Sequence, residues 1–224
     1  MLRTLAERTS EWLNSAIAER TRASLLVSGG STPAPLYEAL SGMSLAWDEI
    51  SVALVDERWV APDHAASNEA LVRRTLLQNH AAAAPFTVMK TDAQQACDAT
   101  DAVNQAYANL AAPFDVTFLG LGSDGHTASL FPHAHGLDAA MDLASENLCA
   151  AIRAHQSEVT GEYTERMTLT LPGIVRSREI VFLITGQEKR DVYERALTQE
   201  NFLEMPASAV LQQDVTPVSV YWAP

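Results

Sequence analysis

The chain has 224 residues, 47% of them hydrophobic and 19% charged, with 10 glycines and 10 prolines; this is a globular composition, and the length suits one domain spanning 1–224. Its 28 acidic residues against 15 basic ones give a formal charge of -13, which excludes a counterion-release footprint on nucleic acid and disfavours an anionic membrane as partner. A small anion can still bind, but only where a few basic side chains and backbone N–H groups converge against the overall field.

Leu2, Leu5, Trp12, Leu13, Ala16 and Ile17 recur at helical spacing, so the chain is expected to open with an amphipathic helix. Charges at Arg3, Glu7, Arg8, Glu11, Glu19 and Arg20 interrupt that segment, which rules out reading it as a signal peptide, and a cytoplasmic protein is expected. The short apolar run Ser24–Val27 reads as a strand, followed by Ser28-Gly29-Gly30-Ser31-Thr32-Pro33. Thr32 suits a helix N-cap and Pro33 a first helical position, with Gly42 as the stop. A second strand, Ile50–Val55, ends in Asp56-Glu57-Arg58, and Ser67 with Asn68 opens a helix running to Leu77. Asp92 is expected to cap a long helix reaching Leu110. Phe114–Leu121 is apolar and rich in strand formers, then gives way to Gly122-Ser123-Asp124-Gly125-His126. Met167–Leu171, Ile180–Thr185 and Val218–Trp222 complete the strands, with helical patterns at Gln187–Leu197 and Ala207–Gln212. Glu158–Glu165 reads as a polar surface loop. Alternation of this kind predicts an α/β fold of three layers, Rossmann-like, with a mainly parallel sheet and helices on both faces. Ligands of such folds sit beyond the carboxyl ends of the strands.

Three of the expected strands end there in loops with chemistry in them. Gly29, Gly30, Ser31 and Thr32 stand between a strand and a helix, where glycine admits close backbone approach and free N–H groups face an anion; the same stretch serves equally as a plain turn. It matches neither a dinucleotide fingerprint nor a Walker loop. Asp56 and Arg58 lie on the same expected rim, although a solvated ion pair would look alike in sequence. Glycines 120, 122 and 125 frame Asp124 and His126, an imidazole suited to take a proton from water near neutral pH, against the alternative of a helix cap. His133 and His135 follow, but two histidines two apart in a loop usually face solvent, so no metal site and no cofactor are expected. Lys189 falls in the first turn of a helix, the end that cations avoid unless an anion is bound there. Arg166 and Arg178, each just before a strand, are further candidate donors. Cys97 and Cys149 have no partner spacing and read as two buried free thiols.

In order along the chain, SGGSTP, VDERWV, LGLGSDGHTASLFP, RMTLTLP and TGQEK resemble the 6-phosphogluconolactonases, from about Leu25 to Leu211. The related glucosamine-6-phosphate deaminases share the glycine loop, the acidic pair and a DGH loop, but their pattern resembles DGHIAFNEP, whose later Glu is absent here. The resemblance implies hydrolysis of 6-phosphoglucono-1,5-lactone, a small sugar-phosphate substrate. It implies His126 as base and Arg58 as stabiliser of the developing oxyanion, with Asp124 either orienting the imidazole or fixing its loop and Asp56 holding Arg58. Gly29, Gly30, Ser31, Thr32, Lys189, Arg166 and Arg178 are the candidate phosphate ligands, and the expected state is a monomer or weak homodimer. Two departures stand out: Gly161-Glu162-Tyr163-Thr164-Glu165 lacks the proline pair usual before Arg166, and His133 stands where glycine is common. The remaining alternatives are a deaminase or isomerase on the same scaffold and a sugar-phosphate-sensing domain of a regulator. The regulator would need a DNA-binding appendage of which only one helix is in view.

Overall fold

The computed structural model describes residues 1–224. The opening helix α1 (Leu2–Arg20) buries Leu5, Leu13 and Ala16, as its spacing requires, and leads into β1 (Ala23–Val27). There follow α2 (Ala34–Ser41), β2 (Ile50–Leu54), the short β3 (Asp56–Arg58), α3 (Asn68–Thr75), β4 (Phe86–Thr87), α4 (Thr100–Ala108), β5 (Phe114–Leu119) and α5 (Leu137–Met141). The second half adds β6 (Cys149–Arg153), β7 (Glu165–Leu169), α6 (Leu171–Val175), β8 (Ser177–Thr185), α7 (Gln187–Ala196), α8 (Ala207–Gln212) and β9 (Val218–Ala223).

Six strands form a wholly parallel sheet in the order β4-β2-β1-β5-β8-β9. β1 is fully buried along its length, and so is β5, which is why both read as unbroken apolar runs. From β1 the chain winds outward to β2 and β4, then returns to β5 and winds the other way to β8 and β9. With right-handed crossovers this reversal sets α1, α2 and α3, which pack together, on one face and α6, α7 and α8 on the other. The strand order reverses between β1 and β5, and a crevice opens there at the carboxyl ends.

Four expectations need correction. β7 lies outside the parallel sheet: with β3 and β6 it makes a separate antiparallel sheet, in the order β3-β7-β6. The triplet Asp56–Arg58 is therefore a strand and not a loop, its carbonyls and amides tied to β7. Thr32 makes no cap bond; Pro33 occupies the cap and α2 starts at Ala34. Asp92 caps nothing either, because the helix ending near Leu110 begins only at Thr100, after a single 3-10 turn at Ala96–Ala99.

Candidate active site

The crevice is a cleft of about 280 Å³. Its floor is the glycine turn after β1 (Ser28, Gly29, Gly30) and the turn after β5 (Gly120, Leu121, Gly122), the two strands at which the sheet reverses. Gly30 has a φ of +109°, a backbone state that side chains rarely tolerate. The walls bring His126, Asp56, Arg58, Arg166 and Lys189 to one place from four separate stretches of chain.

His126 sits in an irregular turn and caps no helix: Gly122 donates its N–H to the His126 carbonyl at 2.8 Å, and Thr127 bridges to Leu130. Its Nδ1 lies 2.6 Å from Asp124 Oδ1, and the same oxygen accepts the His126 backbone N–H at 3.1 Å. A carboxylate only accepts, so Nδ1 carries the hydrogen, and in the neutral imidazole Nε2 is the nitrogen with the lone pair. Burial pushes the Asp124 carboxyl upward, but the hydrogen bond and charge supplied by His126 outweigh it and hold the group below its usual range. The imidazole rests against Phe131, with ring centroids 4.2 Å apart, and the Arg166 guanidinium lies on the Phe131 ring at 5.5 Å. Phe131 thus sets the spacing between base and cation.

Arg58 and Arg166 are direct partners in the β3–β7 pair. Arg58 donates from Nη1 to the Ala66 carbonyl at 2.8 Å and to Asn68 Oδ1 at 3.1 Å, while its Nε is buried without a partner. Arg166 is buried, and donates to the carbonyls of Tyr163 at 2.6 Å and Thr160 at 2.9 Å. Burial foremost, and the neighbouring Arg58, push its guanidinium down to about 10 despite the opposing pull of Asp56, leaving it charged at neutral pH. The 158–165 loop is held over the cleft by these two bonds, and Val159 lines it.

Lys189, in the first turn of α7, lines both this cleft and an adjoining hollow of about 120 Å³ reached by Thr32 and Thr185. It takes part in none of the molecule's ion pairs. Ser31 is exposed and lines neither space.

Besides Ser31, and Cys97, which is exposed where a buried thiol was expected, two placements differ from expectation. Arg178 is remote from the site: it stands at the amino end of β8, where it pairs with Glu19 at 2.5 Å and approaches Asp115, so it forms part of the opposite rim. Asp56 lines the cleft but does not bond Arg58; its Oδ2 accepts from Ser129 Oγ at 2.6 Å and its Oδ1 from Asn68 Nδ2 at 3.0 Å. His135 points to a different hollow, beside Cys97 and Arg153, so it does not join His126.

Sequence reasoning missed Asn68, Ser129 and the work of Glu57. Glu57 is fully buried and accepts from Arg58 N, Asn68 N, Glu69 N and Ser67 Oγ, capping α3 and fixing β3 to it. Burial raises its carboxyl, against the pull of those four donors. The signal was present in part, since an acidic residue ten positions before a Ser-Asn helix opening has donors within reach only once β3 folds back on α3.

Residues 1–222 match the family model described as glucosamine-6-phosphate isomerases/6-phosphogluconolactonase. A 6-phosphogluconolactonase of Mesorhizobium japonicum is 42% identical over 220 residues, 98% of this chain and 90% of that one. One from Pseudomonas aeruginosa is 39% identical, covering 99% and 90%. Among solved structures, a 6-phosphogluconolactonase from Shewanella baltica superposes with a TM-score of 0.94 at 39% identity, covering 100% of this chain and 93% of its own.

Proposed function

The chain belongs to the glucosamine-6-phosphate isomerase/6-phosphogluconolactonase family, and from that premise we propose that it is a 6-phosphogluconolactonase. It hydrolyses 6-phospho-D-glucono-1,5-lactone to 6-phospho-D-gluconate, a step of the oxidative pentose phosphate pathway. The observation that carries this reading is the 2.6 Å contact of Asp124 with His126 Nδ1, which leaves Nε2 basic in a cleft shared with Arg58, Arg166 and Lys189.

His126 Nε2 removes a proton from water as the water oxygen bonds to the lactone carbonyl carbon, a contribution of roughly 10²- to 10⁴-fold. The carbonyl electron pair moves onto oxygen, and the Arg58 guanidinium, its buried Nε unpaired, meets that charge. When the tetrahedral centre collapses, the bond to the ring oxygen breaks and that oxygen takes the proton back from His126. The product is an open-chain acid that ionises in water. Asp124 holds the imidazole in one tautomer and stabilises its charged form. Lys189, Arg166 and the Gly29-Gly30 turn hold the phosphate, fixing the carbonyl against the base. The step needs neither metal nor covalent nucleophile, since a cyclic ester is already electrophilic.

Under this reading residues 1–224 act as one domain, in the cytoplasm, as a monomer or weak homodimer; the free thiols Cys97 and Cys149 suit a reducing compartment. The test is acid release in a pH-stat from freshly generated lactone, with and without the 6-phosphate, after subtraction of spontaneous opening. Rapid release from the phosphorylated lactone and slow release from the unphosphorylated one support the proposal. Equal rates refute the phosphate clamp, and a rate at background refutes the activity.

A further inference from the structure

Asp56 and Arg58 are two apart on β3 and so project from the same face. Both line the cleft, yet none of the molecule's ion pairs joins them. What stands between them is the side chain of Asn68, 2% exposed. Its Nδ2 donates to the Asp56 carbonyl at 2.8 Å and to Asp56 Oδ1 at 3.0 Å, and its Oδ1 accepts from Arg58 Nη1 at 3.1 Å. The orientation of the amide is set by its neighbours: turned over, it would aim oxygen at carboxylate and N–H at guanidinium. The position is enforced from two further sides. The backbone N–H of Asn68 is fixed by Glu57 Oε1 at 2.8 Å, and a Cβ at Gly29 would stand 1.9 Å from Asn68 Oδ1, so the glycine turn is closed down on the amide. The Asp56 oxygen that Asn68 leaves free is occupied by Ser129, three residues beyond His126.

We infer that Asn68 is a positioning residue: a neutral spacer that keeps Arg58 turned into the cleft and out of an ion pair with Asp56. An amide serves where a longer or charged group would not, because it satisfies the carboxylate with donors and the guanidinium with an acceptor while adding no net charge. Without it, the flexible Arg58 side chain falls onto Asp56, and its positive charge is spent on a carboxylate before any oxyanion forms. The chain Ser129–Asp56–Asn68–Arg58 also ties the loop of the base to the cation opposite, so both are held in one buried network.

This inference rests on the lactonase reading and on Arg58 as the oxyanion partner, so its test begins with wild-type turnover. Asn68→Ala, Arg58→Ala and the double variant are compared for kcat, KM and thermal midpoint. The expected result for N68A is a fall in kcat of roughly 10- to 100-fold with KM little changed, since misplacing a stabilising group costs that much. In the R58A background the same substitution adds little further loss, because the group it positions is gone. Should N68A fail to fold, N68S carries the same comparison: it removes the amide from between Asp56 and Arg58 without adding charge, and its deficit disappears in the R58A background. Multiplying losses in the double variant, or unchanged kcat in N68A, would overturn the inference while leaving the function intact. A wild-type rate at background would instead remove the function on which it depends.

Discussion

Arg58 and Arg166 face each other as register partners across β3 and β7, two guanidinium groups on adjacent strands at the wall of one cleft. Like charges directly opposite in an antiparallel pair are destabilising, and here one of the two is buried. Asp56 is close enough to bias Arg166 but is hydrogen-bonded to Ser129 and Asn68. An anion in the cleft relieves this arrangement, so ligand binding and stability are coupled.

The first expected outcome is therefore a ligand-dependent melting point. The product 6-phosphogluconate at about 100 times its Kd should stabilise the wild type by about 2.7 kcal/mol, by mass action. The shift is read by thermal unfolding, and Lys189→Ala should reduce it at the same product concentration. An equal shift in the variant would remove Lys189 from the phosphate site.

Gly122 makes room for the base. A Cβ there would stand 2.0 Å from His126 Nδ1 and 2.5 Å from Asp124 Oδ1. Gly122→Ala is expected to separate the pair and lower kcat by about 100-fold, while product still binds through the phosphate. The pair of measurements is steady-state turnover and calorimetric product binding; retained turnover would contradict the geometry assigned to the base.

Asp124→Asn should misorient the imidazole and lower kcat by roughly 100-fold or more. The same substitution has a pH signature in stability. The Asp124 carboxyl is held below its usual range in the folded protein, so its stabilising effect is complete above that range and is lost as pH falls through the folded value. Urea unfolding of wild type and D124N should thus show a gap that is constant near neutral pH and closes in acid. A gap that widens in acid would reverse the sign argued here.

His133 adopts a φ of +54°, in the left-handed region that favours glycine. The residue noted in sequence as standing where glycine is common is thus a strained one, and its backbone still makes bonds to Leu203 and His155. His133→Gly should stabilise the protein by about 0.5–1 kcal/mol, net of the extra freedom of the unfolded chain, with turnover unchanged. Denaturant titration decides; a loss of stability would mean that the imidazole makes contacts that outweigh the strain.

Much of this architecture was legible because strand and helix periodicities differ and because buried parallel strands read as unbroken apolar runs. β1, β5, β8 and α8 fall within a few residues of their expected positions. The second sheet was not legible. β3 is three charged or polar residues with no alternation to detect, and its pairing spans more than a hundred residues of chain, from Arg58 to Arg166. For the same reason Asn68 looked like an ordinary helix opener, since its partners Asp56 and Arg58 are set by that pairing. Arg178 is the opposite case: its place at the amino end of a parallel strand already put it on the rim away from the ligand, and only its charge suggested otherwise. Its pair with Glu19 is exposed and screened by solvent, and Arg178→Ala should leave product affinity unchanged.

The most direct test of the whole account is the turnover of phosphorylated lactone by His126→Ala, measured beside the wild type with spontaneous opening subtracted. The account expects a loss of at least about 100-fold with folding and product binding preserved. Wild-type turnover in that variant would contradict it, because His126 is the group to which the proton of the attacking water is assigned.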